Sequence, residues 1–170
     1  MNKMKEIRIE KVTLNIGAGK DQGKLKKGVK LLKHITGIEP VKTKTMKRIA
    51  AWGLRPGLPI GCKLTIRKET HDLVKRFLAA KDNYLDEENF DENGNISFGI
   101  EEYIDIPEVK YEPEIGIIGL QICITLTRPG FRVKKRRLLK SKIGKNQVIT
   151  KEEAIDYFRQ KFNLKVGEEE

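Results

Sequence analysis

Apolar and polar side chains alternate in three stretches of this chain, and each stretch predicts a strand with one buried face. The first runs from Ile7 to Ile16. Ile7 and Ile9 occupy odd positions while Val12, Leu14 and Ile16 occupy even ones, so the phase slips at Glu10-Lys11, where a bulge restores register. In Gly61–Lys68, Cys62, Leu64 and Ile66 oppose Lys63, Thr65 and Arg67. In Leu120–Thr127, Leu120, Ile122, Ile124 and Leu126 oppose Gln121, Cys123, Thr125 and Thr127. A shorter extended stretch is expected over Pro40–Thr45, and Asn93-Gly94 reads as a tight turn into a strand at Ile96–Ile100.

Between these runs the period changes to that of a helix. Leu25, Val29, Leu32 and Ile35 share one face after Asp21, a plausible N-cap, and Gly37 ends the pattern. Leu73, Val74, Phe77 and Leu78 predict a short second helix. Thr150 with Glu153 three residues on is a capping box, opening a helix that carries Ile155, Phe158 and Phe162. Strands with one apolar face, interleaved with amphipathic helices, make an α+β layer with helices on one side of a mainly antiparallel sheet. A chain of 170 residues is expected to form a single domain, 1–170. Its acidic end, Glu168-Glu169-Glu170, reads as frayed.

The second face of the sheet is where the pattern becomes informative. The three strands present Lys11, Thr13 and Asn15, then Lys63, Thr65 and Arg67, then Gln121, Thr125 and Thr127. No carboxylate is among them. An ordinary solvated face mixes both signs, whereas cations beside hydroxyls and amides are the groups that grip phosphate and sugar.

Charge sharpens this. The net charge is +11, with an isoelectric point near 9.6, and it is segregated. Residues 1–70 hold 18 basic and 5 acidic side chains, residues 82–114 hold 1 and 12, and residues 115–145 hold 9 and none. Two basic blocks around an acidic one favour a polyanionic partner for the former and a basic protein for the latter. The acidic segment 82–114 and the basic segment 128–145 are therefore expected to face different partners.

Other classes are disfavoured. No apolar run approaches the roughly 18–20 residues that span a bilayer, and charges interrupt the first dozen residues where a signal peptide needs an apolar core. Cys62 and Cys123 are far apart and belong to no CxxC pair, so neither a disulfide framework nor a sequence-local zinc site is expected, in keeping with a reducing cytoplasm. No metal, cofactor or catalytic residue is expected. Gly17–Lys24 sits where phosphate loops occur, but its outer glycines lie too far apart for a dinucleotide fingerprint and Leu25 follows the lysine where a Walker loop needs Ser or Thr. A nucleotide-phosphate-processing enzyme built on that loop, and a non-specific RNA chaperone, stand as alternatives. The Met46–Gly61 loop carries Trp52, Leu54, Arg55 and Leu58 with several prolines and glycines. Either Trp52 and Leu58 fold back onto the core or the loop reaches a partner.

Taken in order, Glu10–Gly19, Thr43-Lys44-Thr45, Arg55–Arg67 and Phe98–Pro107 closely resemble the ribosomal protein L five family, the universal 5S-rRNA-binding proteins of the large subunit. Arg128–Arg137 and the capped last helix resemble its archaeal and eukaryotic branch. Ile38-Glu39 departs from the polar or basic pair of the bacterial form. The resemblance implies an RNA-recognition-like layered fold with an open RNA-binding face. It implies a cytoplasmic, non-enzymatic place in the central protuberance, anchoring 5S rRNA to the large-subunit rRNA. It gives an rRNA-contacting set of Lys11, Thr13, Asn15, Lys44, Lys47, Lys63, Thr65 and Arg67. Trp52, Arg55, Pro56, Gly57 and Leu58 fall in the loop that reaches toward P-site tRNA. A basic protein of the small-subunit head is the implied partner across the subunit bridge, and no membrane is involved.

Overall fold

The computed structural model describes residues 2–167; the expected fraying of Glu168–Glu170 lies outside them. Seven strands and four α-helices follow one another as β1 (Arg8–Gly17), α1 (Gln22–Thr36), β2 (Val41–Lys44), β3 (Pro59–Ile66), α2 (Thr70–Ala79), β4 (Tyr84–Leu85), β5 (Ile96–Ile100), β6 (Leu120–Thr127), α3 (Arg132–Lys135), α4 (Lys151–Phe162) and β7 (Lys165–Val166). Five strands form a sheet in the order β2-β3-β1-β6-β5, so the three alternating strands of the sequence are adjacent. β4 and β7 pair separately, in parallel. The fold is α+β.

The described residues form two compact units. One contains residues 13–66 and 99–122; the other contains residues up to 12, 67–98 and 123 onward.

In the first unit, α1 starts where Asp21 accepts from the Gly23 and Lys24 amides and stops where Gly37 turns left-handed at φ 70°. It buries Leu25, Gly28, Leu31, Leu32 and Ile35. Val29, expected on that face, is only half-buried, and Gly28 takes the closest position because a Cβ there would stand 3.2 Å from both Cys62 Sγ and Ile16 Cγ2. A glycine therefore lets α1 approach β1 and β3. Val41 of β2 pairs with Lys63 of β3 in antiparallel register.

In the second unit, α4 opens with the complete capping box, Thr150 with Glu153, and buries Ala154, Ile155, Phe158 and Phe162. Phe158 meets Phe90 edge-on with ring centroids 6.4 Å apart, and Phe162 stacks on His71 at 4.7 Å. The turn at Asn93-Gly94 has three loop residues. Gly94 donates to Asp91 O, Asp91 donates to Asn95 O, and only Gly94 has positive φ, 72°. That is a type I turn closed by a left-handed glycine rather than a two-residue hairpin.

Candidate nucleic-acid interface

Alternation along β1, β3 and β6 sorts side chains as the pattern required. Val12, Leu14, Ile16, Cys62, Leu64, Ile66, Ile122, Ile124 and Leu126 are buried. Between them Thr13, Asn15 and Thr65 are half-exposed, and Lys63 and Gln121 are exposed. In the first unit this gives an uncovered patch on three neighbouring strands. Asn15 Nδ2 donates to Gln121 Oε1 at 3.0 Å, fixing both amides. Lys44 and Lys47 are exposed in the same unit. Lys11 and Arg67 belong to the second unit, Lys11 half-exposed and Arg67 exposed one residue past the end of β3.

Among the described residues no carboxylate stands on the patch, but one stands at its rim. Glu101 lines the same shallow hollow of about 440 Å³ as Asn15, Gly17 and Gln121. An anion there repels phosphate, so Asn15 and Gln121 are better suited to ribose hydroxyls or base edges, and Lys63 is the side chain of the patch with the charge to meet a phosphate.

The loop between β2 and β3 is folded on itself. Ile49 and Leu54 exchange backbone hydrogen bonds, Thr45 N donates to Leu58 O and Gly57 N donates to Thr45 O. Leu54, not Trp52, turns into the core: Leu54 is 5 % exposed and Trp52 67 %. Leu58 is half-buried. Trp52, Arg55, Pro56 and Gly57 are left exposed on a braced loop, as a residue that contacts another molecule must be.

The acidic segment is partly neutralised by its own unit. Glu114 bonds Lys30 of α1, which holds its carboxyl below the usual range, and Glu112 lies 3.7 Å from His34. In the second unit Glu87 lies 3.5 Å from Lys151. Asp86, Glu88, Asp91 and Glu92 are exposed.

The basic segment is not uniformly outward either. Arg128, at its start, is 5 % exposed and donates to Glu153 Oε1 at 2.7 Å and to Val148 O. Burial pushes the Glu153 carboxyl up, but the Arg128 guanidinium and the Thr150 amide outweigh it and hold it below 4.5. Sequence reasoning counted Arg128 among the surface cations. The signal it lacked is that the capping-box Glu153 has a second oxygen free to hold a guanidinium.

The nucleotide-processing alternative loses its basis. The Asp21 carboxylate already occupies the first amides of α1, at 2.7 and 3.2 Å, where a nucleotide phosphate would bind. Cys62 is fully buried, and burial pushes its thiol up to about 11. Cys62 and Cys123 are unbridged. Among the described residues no group of three or more His, Cys, Asp or Glu could hold a metal, and no helix is long and apolar enough to cross a membrane.

Residues 2–55 match the family described as Ribosomal protein L5, and residues 59–157 match the C-terminus of the same ribosomal family. The chain is 44% identical over 170 residues to the large ribosomal subunit protein uL5 of Sulfurisphaera tokodaii, covering 99% of this chain and 96% of the relative. It is 47% identical over 165 residues to the protein of the same name from Nanoarchaeum equitans, covering 96% and 97%. The Nitrosopumilus maritimus protein of that name is 45% identical over 165 residues, covering 96% and 95%.

Proposed function

The chain belongs to the ribosomal protein L5 family, of the archaeal type, and on that premise we propose that its uncovered strand face binds 5S rRNA and anchors it to the large-subunit rRNA in the central protuberance. It is a structural, non-enzymatic component of the large ribosomal subunit, an rRNA-binding protein of translation that works on the cytoplasmic ribosome. The observation that carries the finer reading is the patch of Thr13, Asn15, Lys63, Thr65 and Gln121, open to solvent and free of carboxylates. Folded RNA is read by shape and by its 2′-hydroxyls, which such neutral donors and acceptors suit. Lys44, Lys47, Lys63, Lys11 and Arg67 add phosphate contacts and hence affinity.

The braced loop with Trp52, Arg55, Pro56, Gly57 and Leu58 reaches P-site tRNA. Its exposed Trp52 and Arg55 offer a stacking surface and a cation to a nucleotide. The exposed carboxylates of the acidic segment face a basic protein of the small-subunit head.

Titration of 5S rRNA against the full chain tests this. Replacing Asn15 and Thr65 together with Ala weakens binding at least tenfold without loss of fold. Unchanged affinity removes the assignment of this face. A non-specific chaperone would bind an unrelated structured RNA of equal length as tightly; this reading requires a clear preference for 5S rRNA. About 4–8 phosphate contacts would give a steep fall of affinity with salt.

A further inference from the structure

The second unit contains a groove whose lining takes in Lys11 and Thr125 from the strand face. It has a volume of about 890 Å³ and lies among β6, α3 and the segment that leads into α4. Apolar side chains, Leu126, Ile143, Val148 and Ile149 among them, form its floor, and Phe131 lines it half-buried. Lysines stand along its walls: Lys134, Lys140 and Lys142 are exposed, and Lys135 is bonded to Glu10. Among the described residues Glu10 is the only carboxylate in the lining, and that ion pair already satisfies it.

We propose that this groove is a second RNA site, which takes an unpaired nucleotide of rRNA with its base against Phe131 and its flanking phosphates on Lys134, Lys140 and Lys142. The groove is concave and its floor is apolar. An A-form duplex offers a convex wall of phosphates and keeps its bases inside, so it fits neither feature. A splayed nucleotide offers both a flat π surface for the ring and floor and two phosphates for the cationic walls. An acidic peptide would satisfy the lysines alone and leave Phe131 and the apolar floor without a complementary group. The hydroxyls of Thr125 and Ser141 add short polar groups of the kind that contact ribose. This goes beyond the reading above: of the residues assigned there to 5S rRNA, Lys11 alone lines the groove.

The probe is a fluorescein-labelled hexauridylate, titrated by anisotropy into the full chain at low salt. Lys140→Glu with Lys142→Glu reduces affinity at least tenfold and lowers the salt slope by roughly 0.7 per lost phosphate contact. Phe131→Leu, which keeps an apolar side chain on the floor, weakens binding about fivefold through lost stacking and leaves the salt slope unchanged. Amide shifts in a nitrogen-15 spectrum map to residues 125–149. The amide shifts separate the two sites: changes at residues 125–149 report the groove and changes at Asn15, Thr65 and Gln121 report the sheet face, so failure here is distinguishable from failure of the 5S rRNA assignment. Unchanged affinity in both groove variants overturns the proposal. So does hexaglutamate binding as tight as the oligonucleotide's, or shift changes confined to the sheet face.

Discussion

Asn15 donates its side-chain amide to Gln121 at 3.0 Å, joining residues 106 positions apart on adjacent strands. The bond orients one amide oxygen and one NH₂ outward, on a face with no cover. An exposed hydrogen bond of this kind contributes about 1 kcal/mol or less to stability. Asn15→Ala is therefore expected to shift the denaturation midpoint little while weakening 5S rRNA binding by about five- to tenfold. Asn15→Asp, which adds a charge repelled by phosphate, weakens it further. A double-mutant cycle with Gln121→Ala checks the coupling: losses that simply add would mean that the pair does not act as one unit.

The loop between β2 and β3 separates a packing residue from a contact residue. Leu54→Ala removes a buried side chain and costs about 2 kcal/mol in chemical denaturation. Trp52→Ala, at an exposed position, stays within about 0.5 kcal/mol. The intrinsic fluorescence of Trp52 is readily quenched by acrylamide in the free protein and becomes protected when P-site tRNA and the ribosome are present. Equal quenching in both states counts against the tRNA contact.

Arg128 and Glu153 make stability depend on acid pH. The folded carboxyl titrates below its ordinary 4.5, so the pair's contribution is complete above that value and fades as pH falls through the lowered pKa. Glu153→Gln leaves the buried guanidinium without its carboxylate and costs about 2 kcal/mol at neutral pH. That is less than for a fully buried pair because Glu153 is partly hydrated. Denaturation at neutral pH and at about pH 3 should show the variant losing less stability on acidification than the parent. Parallel losses would remove the pair as a cause.

Gly61 sits where three strands close on one another. A Cβ built there would stand 2.7 Å from Ile16 O and 3.1 Å from Thr43 Oγ1. Gly61→Ala forces backbone to move and is expected to cost about 1–3 kcal/mol, with 5S rRNA affinity falling alongside, since Asn15 and Thr65 lie on the displaced strands. Thermal unfolding and RNA titration of the same preparation check both, and a native melting temperature with native affinity would contradict the close approach.

Much of this was legible because it is local. Period two in β1, β3 and β6 reports which side chains are buried, since a strand's side chains alternate whatever their partners. Asp21, Gly37 and the Thr150–Glu153 box report helix ends, because capping is settled within four residues. The family blocks were legible for the same reason, being short runs with fixed spacing. The start of β3 at Pro59 was missed by two residues, since its first residues are only half-buried and lack alternation.

What the order of residues determined alone is the class of the fold, the polarity of each strand face and the basic excess that seeks RNA. What only the tertiary structure decided is which polar groups meet. The Asn15–Gln121 bond, the burial of Arg128 against Glu153, the inward turn of Leu54 in place of Trp52 and the lysine-walled groove over Phe131 each join residues distant in sequence or choose between near neighbours of like polarity. Hydrophobicity ranks residues for burial, but the space left by neighbouring strands and helices assigns the places, and that space exists only once the chain has folded.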